Sequence, residues 1–223
     1  MIEMSEIFSD SDKRLAIWCD SASDTNDLAI MCDHIVNNGL DLVSVPPEVV
    51  HDVWAYLEKN RVKILTRYSI DSENKNIDSQ MYELGAKITS VCKSGASGVQ
   101  LFVKMRDLVQ FLDVLQTVRD DLFFGHDLCI VLDTEDLDIN NIDFVFRKLR
   151  EIRADSFGLT LNEDTGNRSD FVGRIYALLQ NFDFDGELHF MLGNNFDRID
   201  QVVRLTECLC PAKSRRLKFF LDY

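Results

Sequence analysis

The chain has 223 residues, 46% hydrophobic and 28% charged, which is enough apolar material for a packed core and too much for a disordered chain. Its formal net charge is −14. Binding to nucleic acid or to an anionic membrane surface rests on neutralising phosphates with cations, so neither is an expected partner.

The acidic start, residues 1–14, lacks the basic opening and apolar core of a signal peptide, and no apolar run approaches the about 20 residues of a membrane span. A cytoplasmic location is therefore expected. The six cysteines (Cys19, Cys32, Cys92, Cys129, Cys208, Cys210) fit it as reduced thiols, mostly set in apolar segments. The one close pair, Cys208 and Cys210, lacks the spacing of a zinc site, and no metal or cofactor is expected.

Taken in chain order, residues 1–13 read as a short flexible or capping segment. Apolar runs that suit strands covered on both faces then follow at Leu15–Cys19, Leu42–Val45, Val62–Arg67, Gly98–Lys104, Leu128–Leu132, Ser156–Leu161, Glu187–Leu192 and Leu217–Leu221. Helical patterns separate them. In Arg106–Leu122 the residues Leu108, Phe111, Leu112, Leu115 and Val118 share one stripe, and Asn141–Arg153 repeats the pattern through Ile142, Val145, Phe146, Leu149 and Ile152. Eight strands alternating with helices predict a single α/β domain over residues 1–223, a closed (β/α)8 TIM barrel. An open doubly wound sheet is less well supported, because no glycine-rich turn follows the first strand.

A barrel of this kind places its function at the C-terminal ends of the strands. Those ends are acidic here: Asp20, Glu48, Asp133 to Asp136, Asn162 to Asp164, Asn194, Asn195 and Asp222. Such residues can ligate a divalent cation, but they are also the preferred caps of the helices that follow, and capping is the reading adopted. Lys104 is the best catalytic candidate. Alternation along the fourth strand puts it on one face with Gln100 and Phe102, and a lysine enclosed in a barrel mouth can become a Schiff-base nucleophile. Pairing with Asp133 or Glu135 is the simpler alternative. His189 reads as a core histidine, no Cys/His pairing is visible, and Ser94-Gly-Ala-Ser-Gly98 falls at the opposite face from the site.

Five segments in order resemble deoxyribose-phosphate aldolases. They are Leu42-Val-Ser-Val-Pro-Pro, Val62-Lys-Ile-Leu-Thr-Arg, Gly95-Ala-Ser-Gly-Val-Gln100, Leu128-Cys-Ile-Val-Leu-Asp-Thr and Ala154-Asp155. The resemblance implies the barrel fold and a lyase ancestry. It also implies where that family's catalytic groups would fall. The Schiff-base lysine falls on Gly158, the lysine that assists it on Met191, and the proton-relay Asp and Lys on Gln100 and Cys129. A phosphate loop after the seventh strand falls on Gly193-Asn-Asn195, and the sequence ends at Tyr223, ahead of the family's serine-bearing phosphate segment.

Two functions are therefore expected in competition. One is a divergent aldolase-like barrel without aldolase activity, a pseudoenzyme that binds a small polar ligand at its C-terminal face or a protein partner, and that can pair as a homodimer. The other is an active lyase that acts on a small aldehyde or sugar phosphate through a relocated lysine, Lys104. In either case the expected ligand-binding set is Ser44, Arg67, Lys104, Asp133, Glu135, Asn162 and Asn194. The mouth is expected to be smaller and less polar than an aldolase's, with Ser44, Gln100, Cys129, Gly158 and Met191 pointing inward.

Overall fold

The computed structural model describes residues 13–20, 25–70, 77–110, 112–122, 125–138, 140–160 and 168–223. Residues 1–12 of the proposed N-terminal segment, and Phe111 in the fourth-strand helix, lie outside them, as does Asn162 of the ligand-binding set.

Eight parallel strands close into a barrel in sequence order: β1 Leu15–Trp18, β2 Leu42–Val45, β3 Lys63–Ser69, β4 Gly98–Phe102, β5 Asp127–Asp133, β6 Ser156–Thr160, β7 Glu187–Met191 and β8 Leu217–Asp222. The seam pairs β1 with β8, with Leu15 opposite Phe219 and Trp18 opposite Asp222. Helices cover the outside: α1 Thr25–Asn37, α2 Val50–Leu57, α3 Ile77–Lys93, α4 Met105–Gln110, α5 Leu112–Asp121, α6 Ile142–Ile152, α7 Arg168–Gln180 and α8 Phe196–Leu209. The expected barrel is thus observed, and most strand boundaries fall within two residues of those read from the sequence. No helix among the described residues is long and apolar enough to cross a membrane.

The period of two along each strand divides the barrel into two cores. Side chains such as Val43, Val45, Val99, Leu101, Phe157, Leu159, Leu188 and Phe190 face the helices and join one large apolar cluster. Helix α6 contributes Ile142, Val145, Phe146, Leu149 and Ile152 to it, the stripe expected from its spacing. The residues between them on the strands fill the barrel's inside. Ala16, Leu42, Leu65, Cys129, Val131, Met191 and Phe220 form that inner cluster, with Trp18 and Phe102 packed at its edge. Ser44 and Gln100 are fully buried and hydrogen-bonded to each other from β2 and β4, strands that are not neighbours, so both point inward.

Candidate active site at the barrel mouth

The mouth is shaped by what lies beneath it. A Cβ placed on Gly158 would come within 2.8 Å of Val131 Cγ2, 3.0 Å of Met191 Cε and 3.3 Å of Cys129 Sγ. Glycine is the residue that fits here, because neighbours from β5 and β7 already occupy the space in front of it. Trp18 then lies across the top of β1, edge-on to Phe102 at 5.9 Å and to Phe220 at 6.2 Å between ring centroids. What remains open is a cavity of about 210 Å³ between β1 and β6–β8. Its wall is Trp18, Thr160, Met191, Leu192, Gly193, Asn195, Phe220 and Asp222.

The sequence-derived candidates do not converge on this cavity. The Ser44 hydroxyl, sealed below it, donates to Gln100 Oε1 at 2.6 Å. Arg67 lies on Trp18, its guanidinium carbon 4.1 Å from the ring centroid, and its Nη2 donates to the carbonyls of Cys19 and Asp20. The Asp20 carboxylate, 3.5 Å away, compensates its charge, while burial lowers its affinity for the proton. Lys104 is not on a strand: β4 ends at Phe102, and Lys104 stands exposed beyond it, its carbonyl accepting the amides of Asp107 and Leu108 at the start of α4. The expected shared face therefore stops at Phe102. The reason is that the chain turns into the helix one residue past the buried Val103, before the alternation can carry the lysine inward.

Three of the described strand-end residues act as caps. Asp133 Oδ1 accepts the amide of Glu135 at 2.9 Å, and Asp136 Oδ2 accepts the amide of Met105 at 3.1 Å, satisfying the first free N–H of α4. Glu135 itself is exposed. Asn195 Oδ1 caps α8 through the amide of Arg198, and the Asn194 side-chain amide donates to the Asp222 carbonyl at 3.3 Å. Asp222, noted as a strand end but left out of the ligand-binding set, is the one charged residue among the described residues of the cavity wall.

The second feature missed from the sequence lies on the same inner face, deeper in the barrel. Cys129 Sγ and His189 Nδ1 are 3.5 Å apart, and His189 Nε2 is 3.2 Å from Glu187 Oε2. This corrects the expectation that no Cys/His pairing exists. The carboxylate holds the ring proton on Nε2, leaving Nδ1 to accept from the thiol. It is nonetheless not a nucleophile site. Cys129 has no exposed surface, and burial pushes its thiol up to about 12, so no thiolate forms at neutral pH. Period-two parity could have found the pair, since it assigns both residues to the barrel's interior.

No family model matches the chain, and no curated protein matches it. Solved structures do. A deoxyribose phosphate aldolase from Aeropyrum pernix superposes with a TM-score of 0.68 at 12% identity, covering 94% of this chain and 85% of the aldolase. An aldolase designated QR15 gives 0.70 at 10% identity, covering 96% and 92%. A homocysteine methyltransferase from Escherichia coli gives 0.62 at 8% identity, covering 95% and 90%. At these identities, and with a methyltransferase among them, the likeness establishes the (β/α)8 barrel fold alone.

Proposed function

We propose that this protein is an aldolase-like barrel without aldolase activity, which binds a small polar ligand at its C-terminal mouth. One observation carries the reading. At Gly158, where the resemblance to deoxyribose-phosphate aldolases calls for the imine-forming lysine, a Cβ would already come within 2.8 Å of Val131 Cγ2 and 3.0 Å of Met191 Cε. An imine needs an amine that reaches an enclosed carbonyl. Among the described residues no lysine lines the cavity, and the two lysines carried on the barrel's inner face belong to its opposite end. Lys63 Nζ donates to Asp127 at 2.6 Å and Lys218 Nζ to Asp41 at 2.7 Å.

A steady-state assay with deoxyribose 5-phosphate tests this. The purified protein is expected to show no cleavage above the uncatalysed rate, whereas turnover on the order of 1 per second or more, an ordinary enzymatic rate, contradicts the reading. If turnover appears and Lys104→Ala removes it, the chemistry belongs to a lyase with a relocated lysine.

A further inference from the structure

We propose that the barrel takes a small carboxylate into its interior beside Trp18, held by the side chains of Arg67 and Gln100. The proposal rests on reading the barrel as a non-catalytic binder and names the class of its ligand. Arg67 on β3 and Gln100 on β4 are register partners, and the period of two turns both into the barrel. Gln100 is fully buried, and its Oε1 accepts the Ser44 hydroxyl at 2.6 Å. Arg67 uses Nη2 for the carbonyls of Cys19 and Asp20. Two further donors, Gln100 Nε2 and Arg67 Nη1, are buried and have no hydrogen-bond partner among the described residues.

A buried N–H without an acceptor is costly, and two of them at paired positions call for an acceptor that serves both. Because both groups donate, a metal cation is not served here. A water molecule can bridge them, but it leaves the guanidinium charge unanswered on its buried side. Asp20 answers that charge from the solvent side: its carboxylate is 3.5 Å from Nη2 on a side chain 77% exposed, whereas the Arg67 side chain is 16% exposed. Burial is the largest influence on Arg67 and works against its charge. A carboxylate on the buried side offsets that cost, and its two oxygens can each take one N–H in a bond strengthened by charge. The ligand has to be small, because Leu65, Val131, Met191 and Phe220 pack the surrounding interior.

The test uses two ligands of one shape and different charge, acetate and acetamide, with formate and inorganic phosphate as further arms at matched ionic strength. The reporter is the indole N–H resonance of Trp18 in the native protein, whose ring carries the Arg67 guanidinium. Trp54, packed against Gly95 and His51 on the outer surface, is the internal control. Acetate and formate are expected to shift Trp18 saturably and leave Trp54 in place. Acetamide should bind about tenfold more weakly or worse, the loss of a charge-assisted contact, and phosphate should be inert. Gln100→Glu supplies the missing carboxylate from the protein itself, so it is expected to keep its fold by circular dichroism and to lose the acetate response. Arg67→Met, which keeps an apolar stem against Trp18, should lose it as well. Equal binding of acetate and acetamide, a response to phosphate in place of the carboxylates, or full acetate affinity in either variant would overturn the proposal. So would silence from every ligand, which would leave a buried water as the acceptor. Failure of the non-catalytic reading shows in a separate channel, turnover of deoxyribose 5-phosphate, so neither result can be taken for the other.

Discussion

The two ends of this barrel are built on opposite plans. At the N-terminal end the inner strand faces carry charge, and each described charge is matched. Lys63 pairs with Asp127, Lys218 with Asp41, Glu187 with His189, and Arg119 with Asp155 from the β5–β6 connection. At the C-terminal end, where barrel enzymes keep their chemistry, the inner face is Trp18, Phe102, Val131, Met191 and Phe220, with Asp222 and Arg67 at its margin. Charges in a low-dielectric interior persist only when paired, and a reactive amine is useful only when its pairing leaves it a free electron pair. The N-terminal lysines have pairing without access to the mouth. Among the described residues, the cavity at the mouth has access without a lysine in its wall.

Restoring the amine should break this arrangement most severely. Gly158→Lys forces a side chain into Val131 and Met191 and leaves an ammonium among apolar groups. Overpacking and an uncompensated buried charge together should cost on the order of 3–5 kcal/mol. Chemical denaturation is expected to show that loss or an unfolded protein, and a stable Gly158→Lys variant would mean that the mouth has room the packing denies it.

Next in size is the link between the two ends. His189→Ala removes a ring 5.3 Å from the centroid of Phe220 and takes away a polar neighbour of both Cys129 and Glu187. A loss of about 2–4 kcal/mol is expected, the range of a large-to-small core substitution with a buried polar partner lost. The same variant should expose Cys129 to thiol reagents. In the native protein Cys208, which is exposed, should react first and Cys129 only on unfolding.

The smallest effect is a pH dependence at the N-terminal end. The hydrogen bond from His189, aided by the charges of Lys218 and Lys63, holds the Glu187 carboxyl below its ordinary value of 4.5. A depressed folded-state pKa contributes stability that is present above the unfolded value and lost as pH falls through the folded one. Stability should therefore decline below about pH 4.5 more steeply than in Glu187→Gln. Because the Glu187 side chain is 44% exposed, screening should keep the difference under about 1 kcal/mol. Thermal melts of the two proteins at matched pH check this, and parallel curves would show that Glu187 is not coupled to folding.

The uneven legibility of the molecule follows from which interactions are local. The alternation of apolar runs and helical stripes fixes the barrel, because burial on one face of each element is a property of neighbouring residues, as in α6. The resemblance to the aldolases extends that to the interior, and the positions carried over from it, Ser44, Gln100, Cys129, Gly158 and Met191, do point inward. The mouth was harder to read because its wall is assembled from β1, β6, β7 and β8 together. Asp222 looks like any strand-end acid until Gly193 is placed beside it. Lys104 misled for a different reason. Its parity is right for an inward residue, but parity lapses where the strand gives way to α4. The Cys129–His189 contact joins β5 and β7: parity places both residues in the interior, but no pattern within either strand sets them side by side.

The central proposal is that the mouth holds no imine-forming amine, and reductive trapping tests it most directly. The native protein is incubated with deoxyribose 5-phosphate or glyceraldehyde and borohydride, and its intact mass is measured. The account predicts an unmodified mass under conditions that label an active aldolase completely. A stoichiometric adduct mapped to a single lysine, at Lys104 or any other position, would contradict it.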